Sequence, residues 1–159
     1  MTCLFNYQIK DIKRNEWNLE ELRGKVVLFV NVASKCSFTK QYDSLENIYN
    51  TYKHRGLVVV GCPCNQFANQ EPGTEEEIHT FCRLTYNVSF PLTSKIEVNG
   101  KGEHPVYRFL KDSQPGFLGL RRVKWNFEKF LINREGKVVK RFFTFTDPKS
   151  ITNEIEKCL

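Results

Sequence analysis

Residues 25–32 read Lys25-Val-Val-Leu-Phe-Val-Asn-Val32, an apolar run without alternation that predicts a strand covered on both faces. A second run of the same kind is Leu57-Val-Val-Val-Gly61. Between them Tyr42, Leu45, Ile48, Tyr49 and Tyr52 recur at helical spacing, so a helix is expected from about residue 40 to 55, with Thr39 placed to cap it and Gly56 to end it. Strand, helix and strand in this order predict two parallel strands joined by a right-handed crossover.

Past a loop rich in Pro, Asn and Gly, Thr74-Glu-Glu-Glu77 has the form of a capping box and opens a helix to about residue 86, with Ile78, Phe81 and Cys82 on its apolar face. A further helix is expected over about 105–112, with Val106, Phe109 and Leu110 inward. Residues 127–132 and 138–144 read as strands joined at Asn133-Arg-Glu-Gly136, and Asp147-Pro148 begins a last helix containing Ile151 and Ile155. The order βαβ, helix, ββα predicts an α/β protein with a thioredoxin-like fold: a central mixed β-sheet flanked by helices, with a segment inserted in its middle. No repeat, low-complexity tract or linker interrupts the pattern, so residues 1–159 are expected to form a single domain.

Composition narrows the class. With 159 residues and 40% hydrophobic content, one core can form without help from metals or disulfides. No stretch approaches the roughly 18 apolar residues of a membrane span, and the first ten residues lack the apolar region of a secretory signal, so cytosolic residence is expected, with a mitochondrial share left open. The net charge of +6 comes from basic residues interleaved with acids, which argues against a nucleic-acid partner. The dense basic stretch is Arg121-Arg122-Val123-Lys124, a candidate for an acidic partner protein or for peripheral contact with lipid headgroups. The six cysteines, at 3, 36, 62, 64, 82 and 158, are too irregular for a secreted disulfide framework and hold no C-x2-C pair for zinc.

Position singles out Cys36. It lies just past the carboxyl end of a buried strand and just before a helix, where open α/β sheets place ligands and where helix N–H groups stabilise an anion; its thiol should ionise more readily there, with Lys35 adjacent. The alternative is a bystander cysteine in a loop. Thr39 stands where a disulfide exchanger carries its second cysteine, so Cys36 has no immediate resolving thiol; the Thr39 hydroxyl is expected to cap the helix and donate toward the sulfur. Such a cysteine suits attack on an oxygen-oxygen bond and passage through sulfenic acid.

Four motifs then agree. Asn31-Val-Ala-Ser-Lys-Cys36, Pro63-Cys-Asn-Gln-Phe67, Asn69-Gln-Glu-Pro-Gly73 and Lys124-Trp-Asn-Phe-Glu-Lys-Phe130, in this order, resemble the glutathione peroxidase family, in the cysteine-containing, thioredoxin-dependent branch typical of fungi and plants. The resemblance runs from about Phe5 to the C-terminus. It implies a tetrad of Cys36, Gln70, Trp125 and Asn126, in which neutral amide and indole donors hold a thiolate and a departing oxygen. From the residues alone, Trp125 reads equally as a core aromatic and Asn126 as a turn residue. The resemblance also implies a resolving role for Cys82, whose alternative is a small apolar residue on the Ile78/Phe81 face. If Cys82 resolves, its helix must open locally.

Ser37 and Lys40 depart from the family's usual Gly and Pro, which leaves the tetrad intact. Cys62 stands where relatives commonly carry an aromatic residue; with Cys64 it could take copper(I), although burial at a strand end suits the pair better. No cofactor or metal is expected. The segment between 113 and 123 is short, and the resemblance implies that the oligomerisation loop of tetrameric members is missing, leaving a monomer with an open active-site face. The implied function is a thiol peroxidase that reduces hydrogen peroxide and organic or lipid hydroperoxides through a Cys36 sulfenic acid and a Cys36–Cys82 disulfide recycled by thioredoxin. The alternatives are a sensor that relays oxidation to a client protein, and a binding protein without catalysis. Whether Cys36 replaces a selenocysteine stays open, though Cys82 argues against it.

Overall fold

The structure is a computed structural model that describes residues 2–159. Its main sheet has four strands, β3 (Val26–Val32), β4 (Leu57–Pro63), β5 (Lys129–Ile132) and β6 (Val138–Phe142), in the order β4-β3-β5-β6. β3 and β4 run parallel, in register from Val26 opposite Leu57 to Val32 opposite Pro63, and β5 and β6 add antiparallel strands. This is the mixed α/β sheet expected. A separate hairpin of β1 (Gln8–Lys10) with β2 (Glu16–Asn18) precedes it. That hairpin is silent in the sequence, because three-residue strands that bury one side chain or none carry no readable alternation.

Every residue of β3 is buried, and the pleat splits them between two cores. Val26, Leu28, Val30 and Val32 meet Tyr42, Leu45 and Ile48 of helix α1 (Gln41–Tyr52), Ile78 and Cys82 of α2 (Glu75–Tyr86) and Ile155 of α4 (Thr152–Cys158). Val27 and Phe29 meet Leu4, Phe5, Leu19 and Leu22 of the N-terminal segment and Val106, Tyr107 and Leu110 of α3 (Pro105–Ser113). Burying side chains of this size stabilises by about 1.5–3 kcal/mol each, so β3 holds both layers and fixes where its carboxyl end lies.

The helix ends follow local chemistry. α1 runs on through one 3-10 turn and stops at Gly56, whose φ of 106° closes the turn. α2 opens on the expected capping box, Thr74 accepting from the Glu77 N–H and Glu77 reaching back to the Thr74 N–H.

Two expectations are corrected. α3 turns Val106, Tyr107 and Leu110 inward, while Phe109 is half-buried with its ring 5.2 Å from that of Tyr7, because the N-terminal segment lies along that flank. The strand expected from residue 127 starts only at Lys129, since Phe127 takes a left-handed φ of 63°. That kink leaves the Phe127 N–H donating to the Asn31 carbonyl at 2.6 Å, ties the 125–127 turn to β3 and sets Trp125 and Asn126 at the end of the sheet.

Lys129 itself is fully buried. Its Nζ donates to the carbonyls of Phe143 (3.3 Å), Thr144 (3.0 Å) and Thr146 (2.6 Å), pinning the loop after β6, while burial pushes the ammonium down to about 7. The Thr144 carbonyl also accepts from Gln41 Nε2 at the start of α1, so loop and helix are tied together.

Candidate active site

β3 ends at Val32, and the chain then turns through residues 33–40 before α1 begins. Three contacts hold this turn. The Cys36 N–H donates to Thr39 Oγ1 at 2.9 Å, Thr39 Oγ1 donates its own proton to the Ala33 carbonyl at 2.9 Å, and the Lys35 N–H donates to the Gln70 carbonyl at 3.0 Å. The Thr39 hydroxyl is therefore fully engaged with backbone. It neither caps α1 nor donates to the sulfur, contrary to expectation, because the Ala33 carbonyl takes its proton first. A backbone group supplies the polar contact instead: the Phe38 N–H is directed at Cys36 Sγ at 3.4 Å. Cys36 is half-buried, a free thiol that stays reachable from solvent.

The other three tetrad candidates come from two more loops. Asn126 is fully buried and its Nδ2 donates to Gln70 Oε1 at 2.9 Å. This bond fixes the Gln70 amide orientation and leaves its Nε2 as the donor available to an anion. Trp125 is held at both ends: its carbonyl accepts from Asn31 Nδ2 at 2.9 Å and its ring packs on Phe67 at 5.8 Å. Gln70 and Asn126 are thus joined directly, Gln70 is joined to the Cys36 loop through Lys35, and Trp125 is set beside them from β3.

Cys82 is elsewhere. It lies on the inner face of α2, fully buried in the core formed with α1 and α4, at whose edge Cys36 packs. Burial pushes its thiol up to about 11, against the influence of the neighbouring Tyr42 hydroxyl. Both sulfurs are free thiols here. Cys62 and Cys64 are buried at the end of β4; burial raises Cys62 to about 12 and Cys64 in the same direction, which suits the structural reading of the pair. In the basic stretch, Arg121 is engaged with Asp112 at 2.6 Å and Glu103 at 3.4 Å, which reduces what it can offer a partner.

Sequence reasoning passed over two residues that the structure brings into the site. Asn31 bridges β3 to the Trp125 turn from both ends, through its side chain and its carbonyl. Glu71 is 1% exposed, accepts from the Ser34 N–H at 3.1 Å, and has its carboxyl raised by burial, opposed by Ser34 and by Lys95 and Lys35. Both lie inside quoted motifs, but a polar residue at a strand end or in a turn gives no sign by itself that it will be buried.

The sequence model of the glutathione peroxidase family, described as "Glutathione peroxidase", matches residues 4–111. The chain belongs to the glutathione peroxidase family. The glutathione peroxidase-like peroxiredoxin HYR1 of Saccharomyces cerevisiae is 54% identical, covering 94% of this chain and 91% of its own length. The glutathione peroxidase-like peroxiredoxin gpx1 of Schizosaccharomyces pombe is 52% identical over 100% of both chains. Among solved structures, Trgpx in apo form superposes with a TM-score of 0.84 at 45% identity, over 99% of this chain and 95% of that one. Membership of the glutathione peroxidase family makes this chain a thiol peroxidase, whose substrates are hydroperoxides and whose reductant is a thiol. The thioredoxin-like mixed sheet expected from the order of elements is the fold of these neighbours.

Proposed function

We propose that Cys36 is the peroxidatic residue of a two-cysteine, thioredoxin-dependent cycle. The Cys36 thiolate attacks one oxygen of the hydroperoxide, the O–O bond breaks, and the second oxygen leaves as alcohol or water after taking up a proton; Cys36 becomes a sulfenic acid. Gln70, Trp125 and Asn126 supply neutral donors for the thiolate and the departing oxygen. Cys82 then attacks the Cys36 sulfur, expels water and forms a disulfide that a dithiol protein, thioredoxin, reduces.

The observation that carries this assignment is the Asn126–Gln70 bond at 2.9 Å, anchored to the Cys36 loop by the Lys35–Gln70 bond at 3.0 Å. A buried Asn126 amide locked to the half-buried Gln70 amide, tied by backbone to the loop of a reachable thiol, makes a preorganised set of donors, which costs no reorganisation when charge develops. The pair adjoins the loop in which the Phe38 N–H faces the half-exposed Cys36 sulfur, which supports a chemical role over a merely structural one. The buried position of Cys82 favours a dithiol protein over glutathione as reductant, because a disulfide between two packed elements suits partner docking better than attack by a small monothiol.

The test is turnover of hydrogen peroxide coupled to NADPH oxidation, with thioredoxin and its reductase or glutathione and its reductase, on the wild type and Cys82→Ser. Turnover with thioredoxin that the variant loses supports the cycle. Equal turnover with glutathione, unaffected by the substitution, would make Cys82 a core residue and assign resolution to small thiols.

A further inference from the structure

Between the Cys36 loop and α2 lies a cleft of about 300 Å³ lined by Ser34, Lys35, Glu71, Gly73, Ile78 and Phe81 among others. One wall is the segment just before Cys36; the opposite wall is the part of α2 that flanks Cys82. Glu71 stands in this cleft with an unusual status. Its Oε1 accepts from the Ser34 N–H and its own N–H donates to Asn65 Oδ1, whereas Oε2 is buried with no partner at hydrogen-bond distance, although the Ser34 hydroxyl, itself without one, is near enough to lower the carboxyl. An acceptor oxygen left unpaired in the interior is costly, and in a cleft between the segment before Cys36 and the helix that carries Cys82 it has a use.

We propose that Glu71 is the proton-transfer residue of the resolution step, taking the proton from Cys82 and returning it to the oxygen that leaves Cys36. The step balances as follows: the Cys82 S–H bond breaks with its proton passing to the Glu71 carboxylate, the Cys82 sulfur bonds to the Cys36 sulfur, and the sulfenic S–O bond breaks. The departing hydroxide takes the proton from Glu71 and leaves as water. The Cys36 sulfur is reduced from sulfenic acid to disulfide as the Cys82 sulfur is oxidised from thiol to disulfide, so no outside oxidant is needed. The inference rests on Cys82 being the resolving cysteine.

Chemistry demands such a base. Burial holds the Cys82 thiol well above its ordinary value in the packed helix, and even the thiol freed when α2 opens is thiolate to only about a few per cent near neutral pH, while the thiolate is the attacking form. Glu71 is the carboxylate whose charge acts on Cys82. Burial also raises its basicity toward the range useful to a general base. The charged and titratable groups around it are Lys35 on the Cys36 loop, Lys95, Tyr42 of α1, Cys64 at the end of β4, and Cys82 and Glu77 of α2. Burial raises the Glu71 carboxyl, opposed first by the Ser34 hydrogen bonds and then by Lys95 and Lys35.

The experiment is a single turnover with one equivalent of hydrogen peroxide in the absence of added thiol, on the full chain. Samples are quenched at intervals and scored by mass for thiol, sulfenic acid and disulfide, from pH 5 to 10. Wild type, Glu71→Gln and Cys82→Ser are compared. The amide oxygen of Gln can keep the bond from the Ser34 N–H, so the loop is retained. In Glu71→Gln the ratio of the resolution rate to the peroxide rate is expected to fall about 100-fold near neutral pH. The variant's resolution should also climb with pH as Cys82 ionises by itself, in place of the acid limb and plateau of the wild type. An unchanged ratio with an unchanged pH profile overturns the proposal, as does an equal slowing of both steps, which would assign Glu71 to holding Ser34. Loss of the sulfenic acid at the wild-type rate in Cys82→Ser would instead overturn the resolving role of Cys82 itself.

Discussion

A substitution that weakens the fold should accelerate one step of the cycle. Cys82 is fully buried on the inner face of α2, so it can reach the Cys36 loop only when part of that helix leaves the core. Ile78, one turn before Cys82, is 1% exposed and holds the same face down. In Ile78→Val one buried methylene is lost, which costs about 1 kcal/mol in the packed helix and almost nothing in the opened one, where the side chain is already solvated. At 1.36 kcal/mol per factor of ten, the opened population should rise about fivefold. If opening precedes resolution, disulfide formation after a single equivalent of peroxide should speed up by the same factor, while sulfenic acid formation at Cys36 keeps its rate. Amide exchange across residues 78–86, read in parallel by mass spectrometry, should increase to the same extent. A resolution rate that stays constant or drops while exchange rises would refute the opening step.

Three further outcomes follow from the geometry. Thr39→Val keeps the shape but leaves the Cys36 N–H and the Ala33 carbonyl without their partner; at about 1–3 kcal/mol for each orphaned group, the melting temperature should fall by several degrees and peroxide consumption should slow, whereas Thr39→Ser should retain both. Asn126→Ala removes the donor that orients Gln70 and should lower the second-order rate with peroxide by about 10²–10³-fold, read by stopped-flow, with little effect on the later disulfide step. For Glu71 the sign of the pH effect is fixed by its raised carboxyl: the folded state holds the proton more tightly than the unfolded one, so its contribution is fully present below the unfolded value and is lost as pH rises through the folded value. The resistance of the wild type to urea should therefore fall relative to Glu71→Gln as pH rises from 4 toward 7, and a constant difference across that range would contradict a raised Glu71.

Much of the fold was legible in the sequence because its strongest signals are local. The continuous apolar runs at β3 and β4, the helical stripe of α1 and the Thr74–Glu77 capping box each carry their structure within a few residues, and the crossover rule then leaves one arrangement for the parallel pair. The same locality placed Cys36 past the end of a buried strand. The short hairpin of β1 and β2 and the left-handed Phe127 lie below that resolution, since pairing and strain there come from distant neighbours.

The tertiary structure alone decided how the chemical groups are shared out. From the chain, Thr39 offers its hydroxyl to any nearby acceptor; folded, the Ala33 carbonyl takes the proton and the Cys36 N–H takes the lone pair, so the Phe38 N–H is left to face the sulfur. Gln70 and Asn126 are 56 residues apart and become one donor pair only because β3, the 63–73 loop and the 125–127 turn meet at one end of the sheet. Glu71 reads as a surface residue of a polar turn until packing closes over it. Hydrophobic periodicity is written along the chain, one residue after another, whereas the partner of a buried polar atom is chosen by whichever segment the fold brings against it.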